Sequence, residues 1–223
     1  MIEIRNLKTF DKIKFSGPGV LTIVQCNETL LTIDAPEFVM ENIKSTVVDE
    51  VLRLAYQNDQ VISLDAYRES INYELKVRDL KDIKFNGNGR VDIPDLDNDF
   101  LSLSMAGSGG IFIAQLTADH LSTNLTGSGQ IKVVGDVETQ NLILTGSGNF
   151  AAEGLVCDFA DINVSGSGNA KVSVSEALNV KITGSGQVTY TGYPGIEKLI
   201  SGSGKLIRQR KDNKRINRGK HHG

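Results

Sequence analysis

The segment LILTGSGNFAA, residues 142–152, contains the pattern on which the rest of the chain is built. Leu142 and Leu144 stand four and two residues before the triplet Gly-Ser-Gly at 146–148. The triplet recurs with its first glycine at 107, 127, 146, 166, 184 and 202, and the variants Gly-Pro-Gly and Gly-Asn-Gly begin at 17 and 87. From 87 onward the intervals are 20, 20, 19, 20, 18 and 18 residues. So regular a recurrence indicates a stack of small units, each too short to fold alone.

Apolar residues keep fixed positions relative to the first glycine of each triplet. Two residues before it stand Phe15, Phe85, Met105, Leu125, Leu144, Val164, Ile182 and Ile200. Four residues after it stand Leu21, Val91, Ile111, Ile131, Phe150, Ala170, Val188 and Leu206. The position four before it is also mostly apolar, with Thr123 and Lys198 as exceptions. Because the residues between are mostly polar, each unit is predicted to be two short strands that flank the glycines and bury one side.

A strand pair of this length can bury its apolar side only against neighbouring units. Parallel stacking of unit on unit does this and satisfies the backbone donors and acceptors at each step. The predicted fold class is all-β, a single-stranded parallel β-helix (solenoid) with coils of 18–20 residues. One internal file is predicted to contain Phe85, Met105, Leu125, Leu144, Val164 and Ile182. Both glycines of each triplet are expected to face inward, where glycine adopts dihedral angles closed to other residues or leaves room inside a bend.

Three parts of the chain differ in regularity. Residues 1–86 are predicted to form irregular coils, residues 87–207 regular Gly-Ser-Gly coils of the same domain, and residues 208–223 a disordered basic tail. The segment 17–87 has room for three to four units of the later length. Strand-like runs and one or two helical turns are predicted there, the strands at 46–48, 51–56, 60–64 and 71–77 and the helical turns at 36–43.

Charge separates the tail from the body. Residues 205–223 hold eight Lys or Arg against Asp212, so the rest of the chain carries a formal charge of −10 within the total of −3. A basic tail can contact anionic surfaces such as lipid headgroups or acidic glycans, and it could fold back onto the acidic body. The tail has no aromatic residue on which bases could stack, so no nucleic-acid partner is expected.

The cysteines and the start of the sequence bear on the cellular compartment of the protein. Cys26 and Cys157 would lie several coils apart, beyond the reach of a disulfide, so two free thiols are predicted. The chain shows no signal-peptide pattern and no apolar run long enough to cross a bilayer. These features leave two possibilities, a cytoplasmic protein or one whose export signal is not included in this chain.

Acidic residues recur eight positions before six successive triplets, those that begin at 87 to 184: Asp79, Asp99, Asp119, Glu138, Asp158 and Glu176. Like charges stacked at strand spacing are costly unless something offsets them. In one interpretation each carboxylate accepts backbone N–H bonds at a corner. In the other, the row binds a cation such as Ca²⁺ or another ligand. The candidate binding residues are Asp99, Asp119, Glu138, Asp158 and Glu176; none is assigned a catalytic or firm metal-binding role, and no cofactor other than Ca²⁺ is considered.

Outward positions around the triplets also form columns of Ser, Thr, Asn and Gln, as in Ser165, Ser167 and Asn169. Stacked about 4.8 Å apart, they would make a flat hydroxyl and amide face suited to a polysaccharide or a partner protein. The competing interpretation is that these residues only keep the solenoid soluble. His120, beside Asp119, is the sole histidine outside the tail, and no recognised lyase signature accompanies it.

Three segments carry a family resemblance: LILTGSGNFAA (142–152), INVSGSGNAKV (162–172) and VKITGSGQVTY (180–190). With the opening IRNLKTFDKIKFSGPGVLTIVQ and the closing VTYTGYPGIEKLISGSGKL, they resemble the family called "putative auto-transporter adhesin, head GIN domain", over roughly residues 4–207. The resemblance implies a β-helical domain, usually exported behind a signal peptide or lipoprotein signal, and therefore located in the periplasm or at the cell surface.

Three functions follow as hypotheses. The first is a non-enzymatic, adhesin-like module that binds glycan or a cell-surface protein through its polar ladder faces. The second is a carbohydrate-active β-helix enzyme, a lyase or hydrolase, because other β-helices house such enzymes. The third is a structural spacer. The absence of a recognised catalytic pattern favours a protein that is not an enzyme.

Overall fold

The computed structural model describes residues 1–57 and 70–210. The predicted strand at 60–64 and the tail beyond 210 lie outside these ranges. The N-terminal elements are β1 (Ile2–Asn6), β2 (Lys12–Ser16), β3 (Val20–Gln25), β4 (Leu30–Asp34), α1 (Glu37–Met40), β5 (Ile43–Val48), β6 (Val51–Tyr56) and β7 (Asn72–Val77). The remaining elements are β8 (Asp82–Gly87), β9 (Arg90–Ile93), β10 (Leu96–Asp97), β11 (Phe100–Gly107), β12 (Gly110–Gly127), β13 (Gln130–Gly146), β14 (Asn149–Gly166), β15 (Asn169–Gly184), β16 (Gln187–Thr191), β17 (Gly195–Gly202) and β18 (Lys205–Arg208).

The predicted internal file is confirmed, and with it the all-β parallel solenoid. Its members lie in parallel register from Phe85 through Met105, Leu125, Leu144 and Val164 to Ile182. Each of these side chains is at most 2% exposed. A second file, four residues after the first glycine, runs in register from Leu21 to Leu206. The core is therefore a set of columns that run along the solenoid axis.

The two glycines of a triplet have different roles, and only the second faces inward. Gly166 has a φ of +119°, and a Cβ there would come within 2.6 Å of the Gly146 carbonyl oxygen in the preceding coil. Gly168 is buried, and a Cβ there would come within 2.8 Å of Leu144 Cδ2 in the internal file. The expectation that both glycines face inward was thus wrong for the first, whose positive φ turns the chain at the corner.

Each regular coil has three faces instead of the two predicted. In β12, residues 110–113 form a post-glycine face, residues 116–118 a middle face and residues 120–126 a pre-glycine face. The register to β13 shifts between Ile113 and Leu116, which marks the corner between the first two faces. The sequence pattern missed the middle face because the chain bends there, so its buried residues fall out of step with those of the other two faces.

The N-terminal region also differs from the prediction. The described strands between residues 17 and 87 do not stack as three or four successive coils in chain order. Instead, β2 lies between β8 and β6, and β3 lies between β9 and β7, all in parallel. The coil of the first triplet therefore lies directly against the coil of the second, with the Phe15 and Phe85 rings stacked at 5.3 Å. The strands β6 and β7 lie beyond it, at the end of the solenoid.

Antiparallel strands close this end. β5 pairs with β6, β4 pairs with β7, and β1 pairs with β4, all in antiparallel orientation. The predicted helical turns form α1, which buries Val39 and Met40. Both cysteines are free, as predicted. Among the described residues there is no helix of the length and apolarity needed to span a membrane.

Candidate binding surfaces

The acidic row lies where the middle face meets the pre-glycine face. Asp99, Asp119, Glu138, Asp158 and Glu176 are all exposed there, each followed by a second outward residue. Register pairs on both sides of the row bring its members onto successive coils. Asp79 is also exposed, in the connection between β7 and β8. The structure therefore assembles the five predicted candidates on one edge of the solenoid.

Two contacts show how this edge is held. The backbone N–H groups of Asp119 and His120 both donate to the carbonyl oxygen of Asp99, at 3.1 and 3.0 Å. The Asp158 carboxylate accepts a hydrogen bond of 2.6 Å from Ser175 Oγ on the next coil. At Asp99 the backbone carbonyl, instead of the carboxylate, thus secures the corner. The predicted corner role of the carboxylates stays a prediction.

The cation alternative finds no assembled ligand set in residues 1–57 and 70–210. Within them, no three of the His, Cys, Asp and Glu side chains are grouped so that they could hold a metal ion. The dense acidic run at 92–99 is instead tied to the body by Gln25. Its Oε1 accepts from Asp97 N at 2.8 Å, and its Nε2 donates to Asp97 O at 2.9 Å.

An outward file that the sequence analysis missed runs beside the acidic row. Its members in register are Phe100, His120, Thr139, Phe159 and Ala177. The Phe100 and His120 rings are stacked, with centroids 5.4 Å apart and planes at 7°. Asn141 Nδ2 lies 3.4 Å from His120 Nε2. We call this edge, the pairs 99–100, 119–120, 138–139, 158–159 and 176–177, the aromatic corner. The sequence carried a signal for this file in the residue that follows each acid of the row, which is aromatic in three of the five coils.

The pre-glycine face is flat and mostly polar. Its outward residues contribute one asparagine to each of four consecutive coils: Asn124, Asn141, Asn163 and Asn179. A shallow groove of about 430 Å³ lies near its C-terminal end, lined among others by Asp161, Asn163 and Asn179. A smaller groove of about 200 Å³, lined by Ser104, Asn124 and Thr126, lies nearer the other end. The face therefore presents hydrogen-bonding groups over several coils.

The columns next to the triplets are partly satisfied within the protein. Ser203 Oγ donates to Ser185 Oγ of the preceding coil at 3.0 Å. On the post-glycine side, Gln187 Nε2 donates to Thr189 Oγ1 at 3.2 Å. In these columns some side chains therefore hydrogen-bond to each other, as expected if they only keep the solenoid soluble. The pre-glycine face presents more outward polar side chains than these columns do.

Among the residues that the structure describes, the acidic row, His120 and Cys157 do not form the arrangement that hydrolytic chemistry would need. The carboxylates of the acidic row share one convex edge and do not face each other across a cleft. His120 contacts an amide and an aromatic ring. Cys157 is buried, and burial, with a smaller effect of Asp158 and Asp136, raises the pKa of its thiol to about 12. A thiol with so high a pKa is a poor nucleophile at neutral pH.

Comparison with known proteins agrees with this architecture. The family model described as "putative auto-transporter adhesin, head GIN domain" matches residues 9–194. A search of curated proteins finds no match. A crystal structure of a "putative adhesin" from Bacteroides fragilis is similar, with 25% identity, a TM-score of 0.84, and coverage of 94% of this chain and 96% of that one.

Two further solved structures share the fold at lower identity. A "putative adhesin" from Parabacteroides merdae has 19% identity, a TM-score of 0.75, and coverage of 94% of this chain and 95% of that one. A "putative lipid binding protein" from Parabacteroides distasonis has 22% identity, a TM-score of 0.74, and coverage of 94% and 96%.

Proposed function

Since the chain belongs to the family "putative auto-transporter adhesin, head GIN domain", we propose that it is an adhesin-like module that acts outside the cytoplasm and binds an extended glycan. Binding without turnover suits a surface that has many hydrogen-bonding groups and no gathered acid, base and nucleophile. The pre-glycine face is the proposed binding surface. The periplasm or the cell surface, where adhesins act, is the proposed location.

The observation that carries the proposal is the run of asparagines on the pre-glycine face. An asparagine side chain both donates and accepts hydrogen bonds, which matches the paired hydroxyl groups of a sugar. Asn163 and Asn179 are diagonal neighbours on adjacent coils, since Asn179 is in register with Asp161 and Asn163 with Lys181. They can therefore contact successive parts of one extended chain. The groove of about 430 Å³ that they line is shallow and polar, as a site for an extended hydrophilic polymer would be.

A glycan array tests the proposal, with purified protein and two matched double variants. Asn163→Ala with Asn179→Ala removes two amides from the pre-glycine groove. Loss of two hydrogen bonds, each worth about 0.5 to 1.5 kcal/mol net, weakens binding by about tenfold. Asn149→Ala with Asn169→Ala removes two amides from the post-glycine face and leaves binding unchanged.

Other outcomes would count against the proposal. Equal loss of binding in both double variants would place the ligand elsewhere. New reducing or unsaturated ends after incubation with a panel of polyuronates would indicate an enzyme. A protein that binds no glycan on the array and no cultured cell surface would be better described as a structural spacer.

A further inference from the structure

The aromatic corner exposes two large apolar side chains. Phe100 is 43% exposed and Phe159 is 45% exposed, and His120 lies in the same file. Aromatic rings grouped on a surface commonly mark a place where something docks. The occupant can be inferred from the charge around these rings.

The middle of the solenoid is strongly acidic. Residues 91–170 contain ten acidic residues and one lysine, Lys132. Asp99, Asp119, Glu138 and Asp158 from this set border the aromatic file and are exposed. Within the described part of the chain, none of these four carboxylates forms an ion pair. A surface of carboxylates and aromatic rings is complementary to arginine and lysine side chains, which pair with the former and stack on the latter.

This protein already stacks arginine on aromatic rings elsewhere. The Arg208 guanidinium lies 3.6 Å from the centroid of Tyr193, and that of Arg90 lies 4.1 Å from the centroid of Phe112. The same chain contains a basic segment with Lys211, Lys214, Arg215, Arg218 and Lys220. We propose that the aromatic corner is the docking surface for residues 211–220 of the same molecule.

The length of the chain permits this contact. In the regular coils, four to six residues lead from the end of the post-glycine face to the corner, as from Val172 to Glu176 and from Ile113 to Asp119. Arg208 holds the position of Ile113 in the last coil, because both belong to one file in register. Continued over the same distance, the chain reaches the corner between residues 212 and 214. Six to eight further residues lead to Lys220 and span at most about 20 to 28 Å. The four steps of about 4.8 Å back to Glu138 need about 19 Å, and the five steps back to Asp119 need about 24 Å.

Docking of the tail would cover the most acidic edge of the protein and leave the pre-glycine face open. It would also reduce repulsion between the stacked carboxylates, which strand spacing otherwise imposes. Docking at the aromatic corner therefore gives the acidic body and the basic tail a common role, because each supplies the charges that the other would bind.

Zero-length carbodiimide cross-linking of the full chain at low salt, read by peptide mass spectrometry, tests the proposal. It joins amines to carboxylates only when they are in contact. We expect Lys214 or Lys220 to be joined to Asp119, Glu138 or Asp158. Lys76 and Glu28, 2.9 Å apart and distant in sequence, provide the internal reference. Raising the salt to about 0.5 M should lower the tail cross-links more than this reference, because exposed charges are screened.

Two matched variants separate docking from general attraction. Phe159→Ala should lower the yield of tail cross-links about two- to fivefold, the loss expected for one cation–π contact. Ile143→Ala, which shortens an equally exposed side chain on the pre-glycine face, should leave the yield unchanged.

Three results would overturn the proposal. The first is a reference cross-link with no tail cross-link. The second is tail lysines joined to distant acids such as Asp34 or Glu41 as often as to the corner. The third is a mixture of ¹⁵N-labelled and unlabelled protein in which the tail cross-links join the two isotopes, because the tail would then dock on a second copy.

Discussion

The two ends of the solenoid are finished in different ways. At the N-terminal end, β5 and β4 pair in antiparallel orientation with the outermost coil, and β1 pairs with β4. Arg5 joins the last strands there, donating from Nη1 to the Ile43 carbonyl oxygen and to Ser45 Oγ, both at 3.0 Å. Beneath this layer Leu54, which pairs with Phe15 in the internal file, is 1% exposed.

The C-terminal end has no such layer within the described residues. β17 pairs with β15 alone, and β18 pairs with β16 alone. Ile200 and Leu206, the last members of the two internal files, are half-buried. At two other inward positions, Lys198 follows Val180 and Arg208 follows Tyr190.

The difference shows two solutions to the same problem. An edge of parallel strands exposes unpaired N–H and C=O groups and the apolar interior, and so it invites association. The N-terminal end covers the interior with further strands. The C-terminal end places charges at positions where other coils have apolar side chains, which is an established way to discourage edge pairing.

Matched truncations in one file provide the strongest test. Leu54→Ala opens a cavity under the N-terminal layer, and we expect it to lower the free energy of unfolding by about 2 to 5 kcal/mol. Ile200→Ala, at the equivalent position of the last coil, should cost under about 1 kcal/mol because that site is already half-open. Urea unfolding followed by circular dichroism measures both. Similar costs at the two sites would show that the C-terminal end is covered in solution.

Gln140 tests whether the interior between the ends is optimised for stability. It is fully buried in a file that contains Leu121 and Leu178, and both polar atoms of its amide lack a hydrogen-bond partner in the described protein. Gln140→Leu should raise the free energy of unfolding by about 1 to 3 kcal/mol, since the desolvation cost disappears. Thermal melting detects the gain. A loss of stability would indicate that an internal water satisfies the amide.

Arg5 tests how the N-terminal layer is held. Arg5→Ala removes the hydrogen bonds to Ile43 O and Ser45 Oγ, and we expect a loss of about 1 to 2 kcal/mol. Arg53→Ala, at an exposed position of β6, serves as the control and should change stability by under about 0.5 kcal/mol. Hydrogen exchange should show the Arg5 effect in β1 and β5 first; protection lost evenly along the chain would contradict the local role.

The two inward cations test the C-terminal end. Lys198→Val with Arg208→Val restores an apolar file at the open edge, and we expect dimers or larger assemblies by analytical ultracentrifugation. Their effect on the stability of the monomer should be small. Lys181→Val with Lys205→Val makes the same change of charge at outward positions and should not change the oligomeric state that sedimentation reports. If both double variants associate equally, net charge and not the inward placement controls association.

The smallest effect is expected for calcium. The acidic row has no assembled set of ligands in the described protein, so a few millimolar Ca²⁺ should leave the melting temperature unchanged. Magnesium at the same concentration controls for general screening. A shift specific to Ca²⁺ would revive the cation interpretation of Asp99, Asp119 and their neighbours.

Much of the fold was predictable because the triplet sets the register. Once Gly146 and Gly166 are aligned, Leu144 must lie beside Val164, and the apolar positions of the two faces that flank the triplet follow. The N-terminal order was not predictable in this way. Residues 26–81 contain no triplet to align, so the position of β6 and β7 outside β2 and β3 depends on which surfaces pack best.

The candidate site was predictable only in part. The acids at one phase indicated a shared edge, and the structure places Asp99 to Glu176 there. Phe100 and Phe159 were not singled out, and His120 was not connected with them, because an aromatic residue in three of five coils is a weak periodic signal. Their significance appears when the corner turns them outward and two rings stack.

From the amino-acid sequence alone one obtains the repeat, the register and the interior of the regular coils, since these follow from local alternation and from glycines that admit one conformation at the turn. Tertiary structure decided the third face, the position of β6 and β7 outside β2 and β3, and the contrast between a covered N-terminal end and a charged C-terminal end. These features depend on contacts between segments distant along the chain, and such contacts leave no period in the sequence.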